Sequence, residues 1–283
     1  MRCVSALRRR AVGECVNRGL ACPSWRSITT SGTVWHVLGL PAGVTVCLYD
    51  LDGVLTQTAK VHAVAWKQMF DEFLRRRGVE RGEDLAPFDA VRDYDEYVDG
   101  RPRADGVRAF LASRGIDLPE GSADDPPDAL TIRGLGERKN EIVLELIREH
   151  GVEPYDGSVR YVKAARDAGL RCCVVSSSTN CRDVLAAAGI AELFDEIIDG
   201  HVAEDEQLSG KPAPDTYLAG ARALGETPEH AAVFEDALVG VEAGRAGKFA
   251  IVIGIDRVGQ AAALNAHGAD VVVGDLSELL EAP

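Results

Sequence analysis

An alternation that begins at residue 159 constrains this chain more than any other feature. Helical stretches over 159–168, 181–188, 215–224, 238–246 and 260–267 are each followed by a short apolar run, over 170–176, 196–199, 231–235, 249–253 and 270–273. Strands separated by helices need crossover connections, which predicts a parallel sheet covered by helices on both faces. An earlier run, Val44-Thr45-Val46-Cys47-Leu48-Tyr49, reads as a buried strand ending at Asp50, and it has no other sheet to join.

The segment between that strand and the alternation carries no strand-like run. Residues 59–77 place His62, Trp66, Met69 and Phe73 on one helical stripe that Gly78 is expected to end. Residues 103–114 and 137–150 are further amphipathic helices, with an acidic Pro/Gly loop over 120–128. The expected fold is therefore α/β, a Rossmann-like doubly wound parallel sheet core formed by 44–57 and 156–283, with 58–155 inserted as a helical domain. Residues 1–43 are Arg-rich and lack apolar periodicity; they read as a disordered tail, an over-long start or a targeting segment.

Composition limits the partners. Lys and Arg number 31 against 45 Asp and Glu, a net charge of -14 that would repel a phosphate backbone, so nucleic-acid binding is not expected. No apolar run approaches the ~20 residues of a membrane span, and a soluble monomer is expected. The chain has 7 Cys and no Cys-x-x-Cys pair, and Cys47, Cys172 and Cys173 sit in apolar runs; this usage suits a reducing cytoplasm better than a disulfide or zinc framework.

Ligands of an open parallel sheet bind beyond the carboxyl ends of its strands. Here those ends read Asp50-Leu51-Asp52-Gly53, Ser176-Ser177-Ser178 and Glu235-Asp236, with Gly210-Lys211-Pro212 in the loop before residue 215. Asp50 is a candidate carboxylate nucleophile able to form an acyl phosphate. Asp52 is a candidate general acid and base. Gathering Asp50, Asp52, Glu235 and Asp236 in one place calls for a hard divalent cation, and Mg²⁺ is the ion expected. Ser176 and Lys211 would hydrogen-bond and neutralise the transferring phosphoryl oxygens.

These four elements, in this order, resemble the haloacid dehalogenase superfamily, and the inserted segment then looks like its helical cap. Within the superfamily the details are similar to the β-phosphoglucomutase family: Thr58-Ala59, His62, Ala65-Trp66-Lys67, Gly100 followed by Arg103, Arg138-Lys139-Asn140, Ser178 with Asn180, and Lys211-Pro212-Ala213-Pro214-Asp215. The resemblance implies a sugar-phosphate substrate. It makes Thr58 a hinge, has His62 hold Asp52 or the sugar, gives Arg103 the non-transferring phosphate and sets Lys139 on sugar hydroxyls. Trp66, Gly100, Ser178 and Asn180 join the substrate site.

Simpler readings stand beside these. His62 and Trp66 share a stripe with core residues, and Lys139 lies in a charged helical turn suited to a surface ion pair. Arg103 opens a helix, where a cation opposes the dipole, which favours a functional reading. The sequence departs from the family pattern at Asp99 and Thr179, each standing where the pattern has Lys, and at Gln57 in place of Asp. Arg101 and Arg182 are nearby cations that could compensate.

The resemblance implies interconversion of β-D-glucose 1-phosphate and glucose 6-phosphate through a phosphorylated Asp50 and a bisphosphate. A Mg²⁺-dependent sugar-phosphate phosphatase on the same core is the alternative. A catalytically silent sugar-phosphate-binding protein is disfavoured because Asp50 and Asp52 are both present.

Overall fold

The computed structural model describes residues 38–281, so the readings made of residues 1–37, and of Cys3, Cys15 and Cys22, lie outside the described residues. Six parallel strands form one sheet: β1 (Val46–Tyr49), β2 (Arg171–Val175), β3 (Glu196–Ile198), β4 (Ala231–Glu235), β5 (Ile251–Ile255) and β6 (Val271–Val273), in the order β3-β2-β1-β4-β5-β6. Apart from charged residues at strand ends (Arg171, Glu196 and Glu235), the strands read as continuously apolar because both faces are covered. Alternate side chains serve two cores. Cys47, Tyr49, Cys172, Val174 and Phe234 pack on one face, and Val46, Leu48, Cys173, Val175 and Val233 on the other.

Helices α4 (Asp156–Asp167) and α5 (Cys181–Ala187) cover the first face. On the second lie α7 (Asp215–Ala223), α8 (Leu238–Ala246) and α9 (Ala261–His267). Short helices α6 (Gly200–Asp205) and α10 (Glu278–Glu281), which periodicity could not resolve at such lengths, complete this part.

Between β1 and α4 the chain builds a third core. Helices α1 (Ala59–Arg81), α2 (Arg103–Ser113) and α3 (Ile132–His150) bury Trp66, Phe70, Phe88, Phe110, Ile142 and neighbours against one another. The chain enters and leaves this helical insertion side by side. Gln57 N–H donates to Glu153 O at 2.9 Å, and Tyr155 N–H to Leu55 O at 2.9 Å.

Besides shifts of two or three residues at α4 and β5, three boundaries differ from expectation. The core begins before Val44: Leu38 and Leu40 are buried in it, and the Tyr161 hydroxyl donates to Leu38 O at 2.8 Å. Helix α1 continues through Gly78 to Arg81, because the reversal is made instead by Gly82, whose φ of 67° is left-handed. Helix α3 starts at Ile132, where the Thr131 side chain caps Gly134 N–H at 2.9 Å, an N-cap obscured in sequence by two following glycines. A five-residue π-helix, Tyr94–Val98, was also not anticipated; π-turns concentrate at functional sites. Among the described residues no helix is long and apolar enough to cross a membrane.

Candidate active site

The sheet order reverses at β1, with β2 on one side and β4 on the other, which opens a crevice beyond the carboxyl ends of β1 and β4. Register does the rest. Tyr49 lies opposite Phe234, and Asp50 N–H donates to Phe234 O at 3.0 Å, so Asp50 stands next to Glu235 at the strand ends. The Lys211 ammonium reaches between them, donating to Asp50 Oδ1 and Glu235 Oε1 at 2.5 Å each. Glu235 uses its other oxygen to accept Ala237 N–H at 2.7 Å. Ser176, at the end of β2, is buried, and its hydroxyl accepts Ser178 N–H at 3.1 Å.

Asp236 follows Glu235 and folds back over Gly53, where a Cβ would fall 1.7 Å from Asp236 Oδ2. Only glycine, here at φ 84°, permits that approach. Asp50, Glu235 and Asp236 each offer an oxygen within 4.8 Å of the others. The charges are undercompensated. Burial, opposed by Lys211 and reinforced by Glu235 and Asp52, pushes the Asp50 carboxyl well above the usual carboxylate range. Burial, with Asp99, Glu235 and Asp50, does the same to Asp236. Lys211 stays charged because Asp50 and Glu235 outweigh its burial. Three hard oxygen donors holding more negative charge than one ammonium neutralises fit Mg²⁺.

Asp52 does not join this group. Its Oδ1 accepts the Thr58 hydroxyl and lies 3.5 Å from His62 Nε2, so its carboxylate faces the insertion. Of the four carboxylates read from sequence as metal ligands, three, Asp50, Glu235 and Asp236, therefore cluster by their side-chain oxygens. His62 in turn meets Lys139, whose Nζ is 2.7 Å from His62 Nδ1 and 4.8 Å from the Trp66 ring centroid. Burial and then Lys139 lower the His62 pKa to about 4, leaving the ring neutral at pH 7. Burial also lowers Lys139 to about 7. Where Lys139 is charged it can only donate, so His62 Nδ1 then accepts and the ring proton lies on Nε2, 3.5 Å from Asp52 Oδ1.

The insertion is seated on the sheet. Ser177 Oγ donates to Gly100 O at 2.9 Å, Asn180 Nδ2 to Asn140 Oδ1 at 2.7 Å, and Arg103 to Thr179 Oγ1 at 3.2 Å. Arg103 also pairs with Glu137 at 3.2 Å. What remains between the two parts is a cavity of about 60 Å³, room for a few waters.

Asp50, Asp52, His62, Trp66, Gly100, Arg103, Lys139, Ser176, Ser178, Asn180 and Asp236 all border that cavity. Lys211 and Glu235 lie buried behind it. Thr58 does not border it: the residue is buried, with its hydroxyl engaged by Asp52 and by Thr56 at 2.7 Å. Of the two candidate compensating cations, Arg101 lines the cavity, whereas Arg182 is paired with Asp199 at 2.7 Å on the outside of β3. Tyr94 also lines it and had no sequence signal, since a single tyrosine in a π-turn has no motif around it.

Residues 44–248 match the family model described as a haloacid dehalogenase-like hydrolase. A β-phosphoglucomutase of Mycobacterium bovis is 56% identical over 248 residues, covering 87% of this chain and 95% of the relative. The β-phosphoglucomutase of Bacillus subtilis is 30% identical over 82% of this chain and 90% of its own. The crystal structure of a Clostridium difficile β-phosphoglucomutase superposes with a TM-score of 0.62 at 22% identity, covering 83% of this chain and 93% of that one, which supports the fold.

Proposed function

We propose, from the premise that this phosphotransferase belongs to the haloacid dehalogenase-like hydrolases and within them to the β-phosphoglucomutase family, that it interconverts β-D-glucose 1-phosphate and glucose 6-phosphate. The observation that carries this reading is the seating of the helical insertion, residues 58–155, over the Asp50 crevice. An aspartyl phosphate survives to meet a sugar hydroxyl only where bulk water is kept out.

In this reading Asp50 holds the phosphoryl group as an acyl phosphate. Asp52, on the insertion side, takes the proton of the sugar 6-hydroxyl as that oxygen bonds to phosphorus and the bond to Asp50 Oδ breaks. The resulting bisphosphate turns over and presents its 1-phosphate. Asp50 then attacks that phosphorus, and Asp52 returns the proton to the departing anomeric oxygen. His62 Nε2–H, its tautomer set by Lys139, orients the Asp52 carboxylate for both transfers. Lys211 and Ser176 hold the equatorial oxygens of the transferring group. Asp50 and Asp236, with Glu235 beside them, would hold Mg²⁺, which supplies charge neutralisation at the phosphoryl oxygens. Thr58 acts through Asp52, at the point where the chain enters the insertion.

One observation favours a sugar-phosphate phosphatase instead: Asp99 and Thr179 stand where the family pattern has lysines, and Arg103 is already engaged by Glu137 and Thr179. Phosphorus NMR of the protein with β-glucose 1-phosphate, Mg²⁺ and a trace of glucose 1,6-bisphosphate separates the two. The mutase reading expects glucose 6-phosphate without accumulating inorganic phosphate. Inorganic phosphate as the sole product refutes it.

A further inference from the structure

We propose that Arg257 is a positioning residue for phosphoryl transfer: from the loop after β5 it fixes the turn that carries Asp52 and ties that turn to the point where the chain leaves the insertion. The proposal rests on the reading of Asp52 as general acid and base given above. The turn first closes on itself. Leu55 and Thr56 N–H both donate to Leu51 O, at 2.9 and 3.0 Å, and Gly53 N–H donates to Thr56 O at 2.8 Å. The carbonyls of Gly53 and Val54 are taken up from outside. Arg257 Nε donates to Gly53 O at 2.8 Å, and the Ser158 hydroxyl to Val54 O at 2.6 Å. Gly53 directly follows Asp52, so a guanidinium on its carbonyl limits where the Asp52 backbone can go.

The same guanidinium, largely buried, has further engagements. Its Nη1 donates to Gly274 O at 2.9 Å and pairs with Asp275 at 3.2 Å. Its central carbon lies 3.6 Å from the centroid of the Tyr155 ring, a stacking that suits a planar guanidinium. Tyr155 is the residue whose N–H is bonded to Leu55 O where the insertion ends. An ion pair with Asp275 alone would use neither Nε nor the face of the group. The supporting loop is itself braced: the Asp256 carboxylate accepts the N–H groups of Gly259, Gln260 and Ala261 at 2.6, 2.7 and 3.2 Å. From that loop Gln260 Nε2 also donates to Asp236 O at 3.0 Å. Proton transfer by Asp52 needs its carboxylate within hydrogen-bond reach of the acceptor oxygen. Phosphorylation of Asp50 by acetyl phosphate, in which acetate departs as Asp50 Oδ bonds to phosphorus, asks little of Asp52. Loss of Arg257 should therefore slow one half of the cycle and spare the other.

The test is rapid-quench kinetics on the full chain with Mg²⁺. Acetyl phosphate loads Asp50, and β-glucose 1-phosphate or water then unloads it. Arg257→Ala should load within about twofold of wild type and unload at least about tenfold more slowly to either acceptor, the scale expected of a small misplacement. Arg257→Lys keeps a charge beside Asp275 without the planar fork, so it should give the same split in smaller measure, and it keeps the question decidable if Arg257→Ala does not fold. Arg166→Ala is the control, because Arg166 likewise joins a carbonyl and a carboxylate, Leu193 O at 2.9 Å and Asp195 at 3.1 Å, away from the site. It should lose stability with both rates unchanged. The proposal is overturned if loading and unloading fall together in the Arg257 variants, if neither falls, or if Arg166→Ala gives the same split. Asp52→Asn in the same series keeps the two readings apart. Prompt unloading by Asp52→Asn removes the role of Asp52 and this proposal with it, whereas a split in Asp52→Asn without one at Arg257 removes Arg257 alone.

Discussion

Gly100→Ala probes the seating of the insertion at one atom. A Cβ at Gly100 would lie 2.9 Å from Val239 Cγ2 and 3.1 Å from Ala237 Cβ. Val239 could rotate, but Ala237 Cβ cannot, because its backbone N–H is tied to Glu235. Two costs arise. Forcing alanine into the left-handed region costs about 1–2 kcal/mol wherever the loop sits. Crowding against Ala237 and Val239 costs about 1–3 kcal/mol more, and only when the insertion is seated. At ~1.4 kcal/mol per factor of ten, the second cost lowers the equilibrium constant for seating roughly 5- to 150-fold. Transfer to a sugar hydroxyl should suffer accordingly, whereas hydrolysis of the aspartyl phosphate should not. The assay is the partition of β-glucose 1-phosphate between glucose 6-phosphate and inorganic phosphate, measured beside thermal unfolding. Gly82→Ala is the control, since Gly82 has the same φ of 67° with nothing within 4 Å of its Cβ position. Both variants should lose a few degrees of Tm, and only Gly100→Ala should lower the partition ratio, by about tenfold. Equal ratios in the two variants would refute the reasoning.

Asp50→Asn should abolish turnover; residual activity above about a thousandth of wild type, where loss of the covalent route should cost at least ~4 kcal/mol, would exclude Asp50 as nucleophile. Asp52→Asn should still be phosphorylated by acetyl phosphate, whose leaving group needs little acid help, yet fail to pass the group to glucose 1-phosphate; prompt sugar phosphorylation in a rapid-quench experiment would remove Asp52 from its role. Asp99 gives a pH test. Burial, then Glu235, raises its carboxyl to about 7, with the Tyr94 hydroxyl working the other way. A carboxyl group whose folded pKa exceeds its unfolded one destabilises progressively as pH rises from about 4 to about 7. Asp99→Asn should therefore raise the Tm of the metal-free protein at pH 7.5 and leave it nearly unchanged at pH 4. A gain of equal size at both values, by calorimetry, would mean that ionisation is not the cause.

Much of the architecture was legible because its signals are local. Continuous apolar runs such as Cys172 to Val175 can only be strands buried on both faces, and helices between them force parallel crossovers. Asp50, Ser176, Lys211 and Glu235 each sit at or beside a strand end, and sheet topology brings such ends together wherever the strand order reverses. The helix boundaries that went astray, at Gly78 and before Glu137, did so because glycine within a helix carries the same local signal as glycine ending one. At Gly78 the outcome was decided by a stronger terminator four residues on, at Arg81 and Gly82. At Ile132 it was decided by the Thr131 cap.

By itself the sequence determined the sheet and the inserted helical core, and it offered the strand-end groups proposed to carry phosphoryl chemistry, since periodicity and strand-end residues depend only on near neighbours. The division of those groups was settled by tertiary structure alone. Asp52 turns to Thr58 and His62 rather than to the other carboxylates because its loop leaves β1 toward the insertion. Arg101 borders the cavity while Arg182 is taken by Asp199. Whether a charge is free or spent depends on which partner packing brings within a few ångströms, and those partners come from elements as far apart in sequence as α2 and the loop after β2.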